Sequence, residues 1–342
     1  MKNLLLLSFL LQVYCLSNGQ HVELLTKGNN TSIRGLSVVN DKVIWVSGSN
    51  GQVGRSLNGG KSWKWVTVKS FEKKDFRDIE AFDKNTAIIM AIAEPANILK
   101  TTDGGITWRT VYENNSKGMF LDAMEFHNRK NGTVVGDPVD GRFFMATSSN
   151  AGETWTELDS GNYPVADSGE ACFASSGTNI RINGAGEASF VSGGRRSRYL
   201  SAGIAVNLPF VEGTSSTGAN SFAVRSGRSP KETSYMVVVG GNYAVDSVST
   251  NNCFISIDGG MNWRSPVVPP HGYRSCVEFI TQNQLVSCGT SGVDISLDAG
   301  LNWSIISTES FHVCRKAKKG DSVFLAGING RIAKLVAERG NK

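Results

Sequence analysis

Thr101-Thr102-Asp103-Gly104-Gly105-Ile106-Thr107-Trp108 is one of five copies of a short pattern, Ser/Thr-x-Asp/Asn-x-Gly-x-x-Trp, and the copies decide the fold. The others run from Ser56 to Trp63 (SLNGGKSW), Ser148 to Trp155 (SSNAGETW), Ser256 to Trp263 (SIDGGMNW) and Ser296 to Trp303 (SLDAGLNW). Their tryptophans lie 45, 47, 108 and 40 residues apart. The long interval is about two ordinary periods, so it holds one unit that has lost the pattern. A recurrence at 40–50 residues is the period of a propeller or a solenoid.

Each copy lies between two short strand-like runs, such as Ala146-Thr147 before and Thr156-Glu157-Leu158 after. The side chains of Asn58, Asp103, Asn150, Asp258 and Asp298 are expected to accept backbone N–H groups two residues on and close a tight turn. The following Gly supplies a positive φ. Trp63, Trp108, Trp155, Trp263 and Trp303 each bury a large ring against a neighbouring unit. The pattern resembles the Asp-box, or BNR, repeat. That resemblance implies a propeller whose repeated turns lie on the face opposite the usual binding site.

The chain has 342 residues, 38 of them Gly and 19% charged, with no Pro-rich, Ser-rich or acidic linker, so residues 20–342 read as one domain. Residues 1–19 read as a signal peptide: Lys2, then an apolar run from Leu4 to Leu16, then small residues at Ser17 and Gly19. The expectation is an exported protein, periplasmic or secreted. Tyr14 stands where a lipobox needs a small residue before Cys15, so no lipid anchor is expected. No other stretch reaches membrane-spanning length.

Five cysteines remain after residue 19, and an odd number is not a disulfide framework. A symmetric hairpin would set Cys276 opposite Cys288; buried free thiols are the favoured reading of the pair. No CxxC or His-x₃-His spacing occurs, so neither a metal nor a cofactor is expected, and no redox centre is recognisable. A net charge of +5 without a basic stripe does not indicate nucleic-acid binding. A monomer is expected.

Grouped into strands, the chain divides into seven units. The repeated turn joins the third and fourth strands of a unit. Unit four is expected within Glu170–Gly213, with Cys172–Ala174, Ala188–Val191 and Tyr199–Ser201 as strands and no repeated turn. Unit seven has three strands, and His21–Leu25 is the obvious donor of a fourth. Closing the ring in that way removes a free sheet edge. The expected fold is therefore an all-β seven-bladed propeller closed by its N-terminal strand, with six or eight blades as alternatives because unit four is weak.

With these units and an exported N-terminus, the chain resembles the Ycf48-like group of BNR propellers, whose plant and cyanobacterial members are photosystem II stability and assembly factors. Gly136–Phe144 and Gly193–Ser201 suggest a branch outside phototrophs. The resemblance implies a non-enzymatic, exported propeller that binds a protein or peptide. Loops on a rigid scaffold are where binding residues concentrate. The candidates on one face are Glu94, Asp137, Arg195, Arg196 and Tyr243 between second and third strands, and Arg34, Arg77, Asp78, Asp122, Glu170, Arg274 and His312 where units join. Glu94-Pro95 and Asp137-Pro138 place an acid before a stiffened backbone in successive units. Arg195 and Arg196 have a second reading, as braces for the weak fourth unit.

Two other classes compete. A sialidase-type glycoside hydrolase would need three arginines on a sugar carboxylate, which Arg34, Arg77 and Arg274 could supply, with Asp78 as acid and Tyr243 as nucleophile. A carboxylate pair drawn from Glu94, Asp137 and Glu170 is a further hydrolytic arrangement. No Arg-Ile-Pro sequence occurs, which counts against that class. The third class is a structural module of an envelope complex.

Overall fold

The computed structural model describes residues 19–26, 29–225 and 235–337; the expected signal segment and Cys15 lie outside them. Seven sheets stand around a central channel as the blades of a propeller. Blade one comprises Ile33–Val38, Ile44–Gly48, Gln52–Ser56 and Lys64–Thr67, all antiparallel. Blade two runs from Phe76–Ala81 to Arg109–Asn114, blade three from Leu121–Phe126 to Thr156–Glu157 and blade six from Cys276–Phe279 to Ser304–Ser307. Blade seven has Val313–Lys316, Val323–Ala326 and Ile332–Ala337, and Gln20–Thr26 pairs antiparallel with the last of these. The ring is thus closed by the N-terminal strand.

The core is not one interior but a set of apolar layers between neighbouring blades. Trp45, Ile79, Ile89 and Leu99 form one such layer between blades one and two. The repeated turn builds these layers. In Thr101–Trp108 the Thr101 hydroxyl donates to Asp103 Oδ1 at 2.8 Å and accepts the Gly105 N–H at 3.0 Å. Asp103 Oδ1 accepts the Thr107 N–H at 3.0 Å. The side chain therefore spans four residues, not the two expected, because two left-handed residues follow it before the chain turns back. Asn58, Asn150, Asp258 and Asp298 make the same four-residue bond at 2.9–3.0 Å. Gly105 sits at φ +81°, and a Cβ there would stand 3.1 Å from the Trp45 ring.

Closed in this way, each turn points its tryptophan at the preceding blade. Trp108 meets Trp45 edge-on with centroids 6.4 Å apart, and Trp263 meets Tyr199 at 5.9 Å. Trp303 lies among Val237, Ile255 and Leu285.

Blade four departs from expectation in its first strand. That strand is Ile180–Ile182, followed by Ala188–Val191, Arg198–Ser201 and Ile204–Asn207. Cys172–Ala174 is not part of it. Glu170–Ala171 instead pairs with Gly193–Gly194, and both extend blade five to five strands beside Thr217–Arg225, Tyr235–Asn242 and Cys253–Ser256. The close approach depends on glycine: a Cβ on Gly218 would fall 2.6 Å from the Gly193 Cα. Blade four has only Ala202-Gly203 where the other turns carry a tryptophan. A cleft of about 520 Å³ opens there between blades three and four, lined by Met145, Leu158, Ala188, Leu200 and Ile204 among others.

Cys172, Cys253, Cys276, Cys288 and Cys314 are all buried free thiols. Cys276 does stand directly opposite Cys288 in the hairpin, without a disulfide.

Candidate binding site at the channel mouth

In several blades the innermost strand begins with a β-bulge. The pairing register shifts between Ile33 and Gly35, Phe76 and Asp78, Leu121 and Ala123, and Ala219 and Ser221. The residues left unpaired are Arg34, Arg77, Asp122 and Asn220. A bulge breaks the alternation of side chains and re-aims the extra residue. Here Arg34, Arg77 and Asp122 line one cavity of about 470 Å³ at the mouth of the channel, with Asp137, His312, Tyr243, Tyr273 and Phe173. Asp137 is itself the bulged residue of its strand, between Gly136 and Pro138.

The cavity divides by charge. Arg34 Nη1 donates to the Ser175 carbonyl at 3.2 Å, and burial, followed by the neighbouring Arg77 guanidinium, lowers its pKa. Arg77 reaches Asp75 at 3.5 Å, and its buried Nε has no hydrogen-bond partner among the described residues. Asp137 Oδ1 accepts the Cys172 N–H at 2.8 Å, and burial pushes its pKa up to about 6. Asp122 is fully buried; neither of its oxygens makes a well-aligned hydrogen bond among the described residues, although the Ala174 and Asp137 amides lie close enough to favour its charged form. Burial, then the charge of Asp137, holds its pKa well above the usual carboxylate range. His312 Nδ1 is 3.0 Å from the Ile33 carbonyl, which can only accept, so Nδ1 carries the proton and Nε2 is an acceptor. Burial, then Arg34, pushes the His312 pKa down to about 3, leaving the ring neutral.

The remaining wall is aromatic. Tyr243 stands edge-on to Phe173 at 5.8 Å and to Tyr273 at 6.2 Å. Tyr273 donates to Asn220 Oδ1 at 2.8 Å, and burial pushes its pKa up to about 12.

Arg34, Arg77, Asp122, Asp137, Tyr243 and His312 thus come together, while the other candidates do not. Asp78 is buried deeper, its oxygens accepting the Ile79 and Met124 N–H groups at 2.8 and 2.7 Å, and it lines a separate cavity with Glu80, Glu125, Arg181 and Arg315. Glu94 accepts the Gly118 N–H at 2.7 Å outside the cavity. Glu170 is buried and ion-paired with Arg198, bracing the extra strands of blade five. Arg195 packs beneath Gly169, and Arg196 binds Asn207 at 2.9 Å and Asp167 at 2.9 Å, so both act as braces. Arg274 is fully buried on Asp294, with Nε 2.6 Å from Oδ2. The three arginines required for a sugar carboxylate therefore do not converge, because Arg274 is consumed within blade six.

Asn220, Phe173, Ser175 and Tyr273 were not anticipated. Asn220 had a legible signal: it is a polar residue near the start of an inner strand, as Arg34, Arg77 and Asp122 are. Phe173 and Ser175 had none: Phe173 lies on the segment expected as a blade strand, and Ser175 just after it.

No protein-family profile matches the chain, and no curated protein matches it in sequence. Solved structures do. The fold is shared with YCF48. A structure of YCF48 bound to D1 peptide superposes with a TM-score of 0.64 at 17% identity, covering 93% of this chain and 96% of that one. YCF48 from Cyanidioschyzon merolae gives 0.62 at 14% identity, over 92% and 98%. The Neurospora crassa Pan2 WD40 domain gives 0.58 at 10% identity, over 91% of each. At such identities the likeness is one of fold.

Proposed function

We propose that this chain is an exported, non-enzymatic propeller that binds a peptide segment of a protein partner at the channel mouth and serves its assembly or stability. The observation that carries the reading is the cavity itself: two partly free guanidiniums and an aromatic wall on a rigid ring. Arginine forks recognise carboxylates in two-point geometry, and tyrosines supply large contact area with few torsions to freeze. That YCF48, with the same fold, was solved with a peptide supports a peptide over a sugar. Export rests on the N-terminal pattern alone; cleavage after Gly19 would begin the mature chain at Gln20, the first residue of the closing strand.

The test is capture from envelope extract by the protein and by an Arg34→Ala/Arg77→Ala variant. Arg274 is left intact because it is structural. The expected outcome is a partner retained by the parent and lost by a variant of unchanged melting temperature. A partner held equally by both would move the site elsewhere, and no partner with either would sink the reading.

A further inference from the structure

Four acidic residues among the described ones are buried: Asp78, Asp122, Glu170 and Asp294. Three are answered. Asp78 accepts two amides, Glu170 is paired with Arg198, and Asp294 with Arg274. Asp122 is the least answered: neither oxygen makes a well-aligned hydrogen bond among the described residues, and the Ala174 and Asp137 amides and the Arg77 charge only partly offset its burial and the nearby Asp137 carboxylate. Asp137 has one oxygen on the Cys172 amide and is only partly buried, so its other oxygen faces the cavity. Among the described residues neither acid is in an ion pair, and nor is Arg34. Asp137 and Arg34 therefore share one cavity without pairing with each other. A buried acid with incomplete hydrogen bonding disfavours its charged form, and a cationic ligand at Asp137 would supply the counter-charge the cavity lacks.

We propose that Asp137, backed by Asp122, receives a lysine or arginine side chain of the bound peptide, while Arg34 and Arg77 take a carboxylate across the same cavity. The segment recognised is then one that carries a basic and an acidic side chain close together. The wall suits this ligand: Phe173, Tyr243 and Tyr273 offer ring faces and edges to the stem and head of a long cation. Neutral His312 adds no positive charge to repel it. The inference rests on the peptide-binding reading and deepens it.

The experiment uses an array of acetylated, amidated octapeptides in a Gly-Ser frame, carrying Lys and Asp at every separation from one to five residues. Companion peptides replace Lys by norleucine or Asp by Asn. Binding of the strongest peptide and its companions is then measured by calorimetry. The expected result is at least a tenfold loss of affinity on replacing Lys by norleucine. In Asp137→Asn that difference should vanish, with the norleucine peptide bound as by the parent. Asp122→Asn is the second variant, and melting temperatures establish that both fold. Equal affinity for the Lys and norleucine peptides, or undiminished discrimination by a folded Asp137→Asn protein, overturns the cation site while leaving peptide binding intact. Failure of every peptide, charged or neutral, overturns the peptide-binding reading and the inference with it.

Discussion

Arg274 and Asp294 show why charge on an apparent binding face is not the same as availability. Both side chains are fully buried, and the Arg274 Nη1 also donates to the Tyr273 carbonyl at 2.8 Å and to Ser291 Oγ at 2.7 Å. Removing one partner of such a pair strands the other charge in a low dielectric. Arg274→Ala is expected to cost about 3–5 kcal/mol of stability, read by urea denaturation. Asp294→Ala added to it should restore part of that loss, because the buried carboxylate, left with His271 alone at 2.6 Å, is then removed. A double variant no more stable than the single one would show that lost packing, not the stranded charge, sets the cost. In sequence Arg274 and Arg34 look alike, each at the entry to an inner strand. What separates them is a partner 20 residues away on a neighbouring strand, which no local pattern reports. Arg34, Arg77 and Asp122 were legible because the repeat places them at one position of successive blades. How incompletely Asp122 is answered was not, since that depends on where the segment after Glu170 brings the Ala174 amide.

The element that repeats is the turn with its tryptophan, and its energetics are those of a wedge between blades. Trp303 is the best buried of the five, at 2% exposure, with its Nε1 donating to the Gly300 carbonyl at 2.9 Å. Trp303→Ala is expected to cost about 3–5 kcal/mol, as large aromatic truncations in packed cores do. The junction between blades three and four already lacks its wedge, and the cleft of about 520 Å³ is the consequence. Amide exchange should therefore be faster in Arg198–Ser201 than in the equivalent strand of blade six, Gly292–Ser296. Equal protection in the two strands would mean that Tyr163 and Pro164, which border the cleft, replace the tryptophan in full. Six units could be counted from the tryptophans and their spacing, and the seventh from the strand-like runs that follow Trp303. Blade four was mis-divided because, without its turn, nothing fixed which short apolar run came first; Cys172-Phe173-Ala174 and Ile180-Arg181-Ile182 are equally strand-like.

At the scale of the whole ring, closure is the property on which the channel-mouth site depends, because its residues come from blades far apart in sequence. Arg34 donates to Ser175, and His312 is hydrogen-bonded to Ile33 across the joint between the last blade and the first. Gln20–Thr26 holds that joint by pairing with Ile332–Ala337, and Val22 and Leu25 pack on the core shared by blades seven and one. Deleting residues 20–26 would leave Ile332–Ala337 as an exposed edge strand, a template for pairing with another chain. The expected outcome is a lower melting temperature and concentration-dependent association, followed by light scattering. The site should suffer with the joint: peptide binding by the truncated chain should weaken even though every cavity residue is present. A synthetic peptide of residues 20–26 added back in excess should restore both, since the strand contributes through backbone pairing and two apolar side chains. A truncated chain that stayed monomeric and bound peptide as before would show that the seven blades hold their curvature through the inter-blade layers alone, with the closing strand a cover for the edge.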